Sequence, residues 1–275
     1  MTNLLITGSL GFIGRQLVNS LKGIGREVSE LDEEYFKTLD WKAELTNALD
    51  RSDPEAVFHV GACSNTLEQD VQYMMIRNYE STKVIANWCT LKGRKLIYSS
   101  SAAIYGEDGR FPSNLYGWSK YVAEDYVLGS GGIALRYFNV YGPGEELKGN
   151  MASFLYQAYL KHCVNEEVLI FPGKPVRDFI YIKDVISANI HALEFYQFLQ
   201  GKYFEVSTGS ASTFEEILDI FGIAYKYSNQ NLIPKGYQFF TRGDPSKWMN
   251  GWNPGFSLPH GVLEYKQYLD QCKDS

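Results

Sequence analysis

Cysteine and histidine are scarce, with four of each in 275 residues. Cys63, Cys89, Cys163 and Cys272 are scattered without paired or metal-ligand spacing. That excludes a disulfide framework, and reduced thiols in a cytoplasmic protein are the simplest account. The histidines do not cluster, so no metal site is expected. His59 closes an apolar run and reads as a core or strand-end residue. Lysine and arginine form no block, and the formal net charge is −6, which leaves no electrostatic footprint for nucleic acid. No apolar run approaches the length of a membrane span, so no membrane partner is expected. The first residues lead straight into a strand pattern, so no signal peptide is expected either.

Aromatic residues are plentiful instead, with 20 Tyr and 16 Phe, which suits a densely packed chain and argues against disorder. The length allows a large core in one or two lobes.

The chain opens on Leu4-Leu5-Ile6-Thr7, a short apolar run of the kind a buried parallel strand needs. Gly8-Ser9-Leu10-Gly11-Phe12-Ile13-Gly14 follows at once, and Arg15 to Lys22 reads as a helix. Glycines there let the backbone turn tightly and approach a pyrophosphate, whose charge sits at the helix N-terminus. The spacing is Gly-x-x-Gly-x-x-Gly, not the Gly-x-Gly-x-x-Gly of the standard dinucleotide fingerprint. A second strand, Glu27 to Leu31, ends in Asp32. An acid about twenty residues beyond such a loop is placed to grip a ribose 2′-hydroxyl. Asp32 is followed by Glu33 and Glu34, so a 2′-phosphate would meet like charges, which favours NAD over NADP; Lys37 stands near enough to weigh against it.

Ala56 to His59 is a third apolar run, followed by Gly61-Ala62-Cys63-Ser64. A helical pattern over about 73–92 leads into Lys95 to Tyr98 as another strand, and Ile133 to Arg136 forms the next. Alternating β and α with short connections predicts a parallel sheet covered on both faces, a doubly wound α/β fold of Rossmann type. Ligands in such sheets sit beyond the carboxyl ends of the strands, where Thr7, Gly61, Ser99 to Ser101 and Tyr137 to Asn139 fall. Past Asn139 the texture changes: Tyr141-Gly142-Pro143-Gly144 breaks regular structure, a helix is predicted over about 150–164, and 171–175 is turn-rich. Phe179 to Tyr181 and a helix over 182–198 read as a return to the sheet domain. The expected organisation is therefore a nucleotide-binding domain of 1–140 plus about 176–202, and a smaller, discontinuous C-terminal substrate lobe of about 141–175 plus 203–275.

Tyr116-Gly117-Trp118-Ser119-Lys120 puts a phenol and an ammonium on one helix face, roughly 5–6 Å apart at Cβ. A cation beside a tyrosine favours the phenolate, so the ring can exchange protons with a substrate hydroxyl. Taken alone, the spacing fits packing plus a solvated lysine better, since any amphipathic helix can show it. It does not stand alone. Ser99-Ser100-Ser101 closes the preceding strand, and a hydroxyl there can bond the same substrate oxygen. Hydroxyl, phenol and ammonium around one carbon–oxygen bond, beside a nicotinamide, make a hydride-transfer site.

With those residues in view the chain resembles the extended short-chain dehydrogenase/reductase family, among its nucleotide-sugar epimerases and dehydratases. The resemblance runs through nearly the whole chain: the glycine loop, Ser101, Tyr116 and Lys120, Arg136 to Pro143, and Arg177 to Val185. It implies that Gly8, Gly11, Phe12, Ile13 and Gly14 hold the pyrophosphate of tightly bound NAD or NADP, and that Asp32 holds the adenosine ribose. Gly61 and Ala62 would lie along the cofactor toward the nicotinamide. Tyr116 would be the acid/base, Lys120 would bond the nicotinamide ribose and lower the phenol's pKa, and Ser101 would orient the substrate. Asn139 and Arg177 look like substrate-nucleotide contacts, although Arg177 also suits a surface salt bridge. A nucleotide-sugar substrate and a homo-oligomer are expected. Dehydratases of this family carry an Asp-Glu pair just after the active-site hydroxyl; here Ala102 and Ala103 stand there, so elimination lacks its acid and base.

A narrower resemblance rests on Gly61-Ala62-Cys63-Ser64, Tyr73-Met74-Met75, Ser100 to Ala103 and Lys148-Gly149-Asn150-Met151-Ala152-Ser153. These look like the ADP-glycero-manno-heptose 6-epimerases of lipopolysaccharide biosynthesis. Such enzymes oxidise the exocyclic C6 to a ketone and return the hydride to the opposite face. Two faces need two proton-handling groups, Tyr116 and Lys148, and a buried lysine can have its pKa lowered enough to serve. Lys148 would otherwise bind the diphosphate or cap a loop. The chain is short between Ser101 and Tyr116 and trimmed in its C-terminal lobe, both of which help shape the sugar pocket. The alternatives are a 4-epimerase or 4-ketoreductase on another nucleotide sugar, and a non-catalytic dinucleotide-binding sensor.

Overall fold

The computed structural model describes residues 3–107, 109–233 and 237–273. Met1 and Ser275, the outer limits of the two expected lobes, lie outside them. The first part of the chain runs β1 (Asn3–Thr7), α1 (Phe12–Gly23), β2 (Glu27–Leu31), α2 (Trp41–Ser52), β3 (Ala56–His59), α3 (Val71–Met75), α4 (Ser81–Lys92), β4 (Lys95–Ser101), α5 (Leu115–Gly129) and β5 (Ile133–Tyr137). It continues through β6 (Asn139–Tyr141), α6 (Phe154–Cys163), β7 (Val168–Ile170), β8 (Val176–Tyr181), α7 (Ile182–Glu194), α8 (Tyr196–Leu199), β9 (Tyr203–Val206), β10 (Ala211–Thr213), α9 (Phe214–Phe221), β11 (Tyr225–Tyr227) and α10 (Leu258–Lys273). The chain folds as two compact units, Met1–Arg136 with Ile186–Phe204, and Tyr137–Val185 with Glu205–Ser275.

A six-stranded sheet in the order β2-β1-β3-β4-β5-β9 is the frame of the first unit. β2, β1, β3 and β4 pair in parallel. The residues of β3 and β5 are buried throughout, as helices on both faces of a parallel sheet require. The chain leaves β1 for β2 on one side and returns to β3 on the other. That reversal is the switch point at which open α/β sheets bind ligands. On one face the core gathers Leu5, Val57, Leu96 and Ala134 from the strands with Leu49, Ile85, Ala123 and Val127 from the helices.

Three helix boundaries differ from the sequence pattern for local reasons. The long stretch expected over 73–92 is α3 and α4 joined through a turn of π-helix, Ile76–Glu80. The helix expected from about 150 begins at Phe154, because Gly149 (φ 52°, ψ −126°) breaks the turn before it and Ser153 caps the new start. The helix expected over 182–198 breaks after Glu194 and resumes as α8. A fourth difference concerns pairing. Phe179 to Tyr181 do not rejoin the six-stranded sheet. β8 lies instead in a three-stranded sheet of the second unit, parallel to β6 and antiparallel to β10.

Candidate active site

At the switch point three backbone segments close on one another. Gly8 adopts a left-handed φ of +65°, and a Cβ there would stand 2.6 Å from the Gly61 Cα. A Cβ on Gly14 would stand 2.0 Å from the Gly8 carbonyl oxygen. Only glycine fits these two positions, so the loop, the first turn of α1 and the segment after β3 touch without side chains between them. Gly11 differs in degree: a Cβ there would stand 3.3 Å from the Gly8 oxygen, a tight contact that a small shift relieves, and its backbone is extended. It caps α1 without a side-chain acceptor, and no acid stands in the first turn, so no side chain of α1 itself offsets the positive end of that helix. Phe12 and Ile13 form the turn itself. Asp32 is tied to the loop: one carboxylate oxygen accepts from Leu10 N at 2.8 Å, the other from Glu33 N at 2.9 Å. Glu33 is paired with Arg77 and Glu34 with Lys37. A Cβ-free cradle, an uncapped helix start and an acid at the end of β2 fit a dinucleotide.

Tyr116 and Lys120 share a face of α5, which starts cleanly because Asn114 accepts from Gly117 N at 2.8 Å. Burial pushes the Tyr116 phenol up, and a hydrogen bond from Ser101 pulls it back. Ser101 also caps the short turn after β4, accepting from Ala103 N at 3.1 Å. Lys120 is buried and its ammonium is pushed down to about 7 by desolvation, against the attraction of Glu124. It donates to the Ser99 carbonyl at 2.7 Å and lies 4.7 Å from the centre of the Tyr98 ring. Ala62, expected along the cofactor, is exposed beside Gly61.

Asn139, Lys148 and Arg177 stand in the second unit. The Asn139 amide donates to the Asp178 carbonyl at 3.2 Å and to Thr241 Oγ1 at 3.4 Å. Asn139 faces Phe179 across β6 and β8, and Arg177, two residues earlier on β8, is half-buried with its guanidinium 5.0 Å from the Tyr237 ring. That makes Arg177 a partly desolvated cation beside an aromatic ring, with no salt bridge among the described residues. Lys148 is half-buried on the 3₁₀ turn Glu145–Met151, its ammonium pushed down by burial and raised by Glu145.

Residues 4–207 match the model of the NAD-dependent epimerase/dehydratase family. The chain belongs to that family. It is 33% identical, over 98% of both chains, to the ADP-L-glycero-D-manno-heptose-6-epimerase of Brachyspira hyodysenteriae. Among solved structures it is similar to the enzyme of the same name from Helicobacter pylori, with a TM-score of 0.84, 25% identity and coverage of 98% of this chain and 96% of that one. It is similar to the same degree to the UDP-glucose 4-epimerase of Thermotoga maritima solved with UDP-glucose, with a TM-score of 0.85, 25% identity and coverage of 99% and 100%. It is thus an NAD-dependent epimerase acting on a nucleotide sugar.

Behind this family's glycine loop and Tyr-Lys helix lies a buried polar chain that sequence reasoning did not find. Gly61 N donates to Thr7 Oγ1 at 3.1 Å, and Thr7 lies 2.7 Å from His59 Nδ1. Thr82 sits 2.9 Å from His59 Nε2 and donates to the Asn78 carbonyl at 2.7 Å. Since Thr82 spends its proton on Asn78, His59 carries its own on Nε2 and accepts from Thr7 at Nδ1. Burial holds the imidazole neutral, its pKa down at about 3. His59 is thus a satisfied core residue, as its place in the sequence suggested. Asn78, in the π turn, is the branch point. Its amide brackets Cys63 at both backbone groups, 2.7 and 3.0 Å, and donates to Ser119 Oγ at 2.9 Å. Ser119 in turn donates to the Tyr116 carbonyl at 2.7 Å. A sequence signal existed: an amide inside an otherwise periodic helix, one turn before Thr82. π turns gather at functional sites.

Proposed function

We propose that this protein is an ADP-glycero-manno-heptose 6-epimerase that uses NAD. Two proton-handling groups in one chain carry the reading: Tyr116, hydrogen-bonded to Ser101, and a half-buried Lys148 whose ammonium burial weakens. Full-length likeness to the Brachyspira and Helicobacter enzymes supports it, as does the absence of an acid pair at Ala102 and Ala103.

The first unit holds the cofactor, with Gly8, Gly11, Phe12, Ile13 and Gly14 at the pyrophosphate, Asp32 at the adenosine ribose, and Gly61 and Ala62 toward the nicotinamide. NAD held by these residues would supply the hydride acceptor and donor that the inversion needs. Tyr116 takes the proton of the sugar hydroxyl as the ketone forms, with Ser101 orienting the oxygen. Lys120 donates to Ser99 with one of its three N–H groups, which leaves it others with which it would hold the nicotinamide ribose. Lys148 serves the opposite face of the ketone. Asn139 and Arg177 hold the nucleotide of the substrate in the second unit.

A 4-epimerase is the second reading, favoured by the equal likeness to the Thermotoga enzyme. Purified protein is incubated with ADP-D-glycero-D-manno-heptose, and separately with UDP-glucose, without added nicotinamide; products are followed by chromatography and proton NMR. Inversion at C6 of the heptose is expected. Inversion at C4 of glucose with an unchanged heptose would move the assignment to the second reading.

A further inference from the structure

Glu145 and Glu146 are adjacent acids that end in opposite environments. Glu146 is exposed, whereas Glu145 has no accessible surface. An ionised carboxylate in that position needs donors on both oxygens, and it has them. One oxygen accepts from Ser153 N at 2.5 Å; the other accepts from the Ser153 hydroxyl at 2.9 Å and from Gly142 N at 3.3 Å. Those donors stand on either side of the 3₁₀ turn Glu145–Met151. A single carboxylate therefore joins the residue entering that loop to the residue leaving it. Lys148 lies between.

The loop needs such a tie. Gly144 (φ 98°) and Gly149 (φ 52°) are both left-handed, and Gly149 directly follows Lys148. Glycine at such points lets the backbone swing. Ser153 passes the restraint on, because its oxygen also accepts from Tyr156 N at 3.3 Å as the cap of α6. From α6, the Gln157 amide reaches back to the Asn150 and Ala152 carbonyls at 3.0 and 2.9 Å. Glu145 is also the charged group that acts on the Lys148 ammonium. The other titratable groups facing it are Tyr141 of β6, Tyr265 of α10, and Glu146 and Tyr156, whose charges act on the same cluster. The phenols are neutral at physiological pH, and Glu146 is screened by solvent.

We propose that Glu145 is a positioning residue for Lys148: its carboxylate clamps the 142–153 loop shut and supplies the buried negative charge against which the lysine exchanges its proton. This rests on the reading of Lys148 as the second proton carrier. Two substitutions divide the roles by readout. Glu145→Gln loses the charge and also turns one accepting oxygen into a donor, so its Lys148 midpoint reads the charge and its kcat reads charge and clamp together; Glu145→Asp keeps the charge and shortens the arm that reaches both Gly142 and Ser153.

The test follows Lys148 itself. Lysines are methylated reductively with ¹³C, the Lys148 signal is assigned by its loss in Lys148→Arg, and its titration midpoint is read by NMR in each variant, alongside kcat and KM. In E145Q the midpoint is expected to fall by about one pH unit, with kcat reduced about tenfold or more and KM little changed. In E145D the midpoint stays near its original value while kcat falls at least about tenfold. A folded E145Q with an unmoved Lys148 midpoint overturns the charge role, and a folded E145D with undiminished kcat overturns the clamp. If E145Q does not fold, E145D carries the test alone. Failure of the underlying reading looks different: Lys148→Ala would then retain epimerisation while the Lys148 midpoint still moved in E145Q.

Discussion

The side-chain amide of Asn78 joins the Cys63 backbone, just past β3, to Ser119 on the helix that carries Tyr116 and Lys120. The two parts of the chain that must meet around the reacting bond are thereby fixed to each other through one buried residue. Asn78→Ala is expected to leave the Cys63 N–H and C=O and the Ser119 hydroxyl without this partner. Unsatisfied buried groups cost about 1–3 kcal/mol each, partly relieved by water. The expected result is a loss of about 2–4 kcal/mol in urea unfolding and a fall in kcat larger than any rise in KM. Asn78→Asp should do no better, since a carboxylate can accept from Cys63 N but faces the Cys63 carbonyl without a donor. Full activity in N78A would remove the positioning role.

Much of this architecture is legible in the sequence because it depends on short-range pattern. Leu4 to Thr7, Ala56 to His59 and Ile133 to Arg136 are apolar runs, and strands buried on both faces can be little else. Gly8, Gly11 and Gly14 and the Tyr116/Lys120 pair are likewise local spacings. What escaped depends on closure over distance. Asn78 acquires its meaning from Cys63 and Ser119, 15 residues before it and 41 after. Phe179 to Tyr181 have the composition of a central strand, but their partners, β6 and β10, are chosen by the second unit. Glu145 and Glu146 look alike in sequence, and only the fold buries one of them.

The glycine loop makes a graded prediction. A methyl at Gly14 would meet the Gly8 carbonyl at 2.0 Å, a backbone atom that cannot step aside. A methyl at Gly11 would meet the same oxygen at 3.3 Å, on an extended backbone that alanine adopts freely. Gly14→Ala should therefore disturb the loop itself and lower both the unfolding midpoint and NAD content. Gly11→Ala should disturb the loop much less than Gly14→Ala, yet weaken NAD at least about tenfold, because the ligand approaches the bare backbone there. Equal NAD binding by G11A and the unsubstituted protein would remove Gly11 from the cofactor contacts.

Glu124 and Arg136 form a buried ion pair, with Arg136 Nε held by both carboxylate oxygens at 3.1 and 3.0 Å. Arg136 also donates to the Tyr105 hydroxyl at 2.7 Å, and Ser100 donates to Glu124 at 2.5 Å. Removing one partner leaves the other charge buried alone, a change worth about 3–5 kcal/mol. Glu124→Ala is expected to show that loss in urea unfolding, and Glu124→Leu combined with Arg136→Met should lose much less. A double variant as unstable as the single one would show that packing, not the orphaned charge, carries the effect.

Lys120 is an amine whose function and stability pull in opposite directions. Its folded pKa, about 7, lies well below the usual lysine value of 10.5. Between those two pH values the unfolded chain binds more protons than the folded one, so stability contributed at this site rises with pH across the window. Below it both states are protonated and the burial penalty is fully present. Lys120→Met removes the titrating group. It is expected to abolish epimerisation while raising the unfolding midpoint, by an amount that widens as the pH falls from about 10 to 7 and then levels off. The carbonyl of Ser99 loses its donor in that variant, which trims the gain. Thermal unfolding of both proteins at four or five pH values decides the point. Parallel curves would mean that Lys120 is solvated well enough to keep an ordinary charge, and the site would then need another account of how its phenol is served.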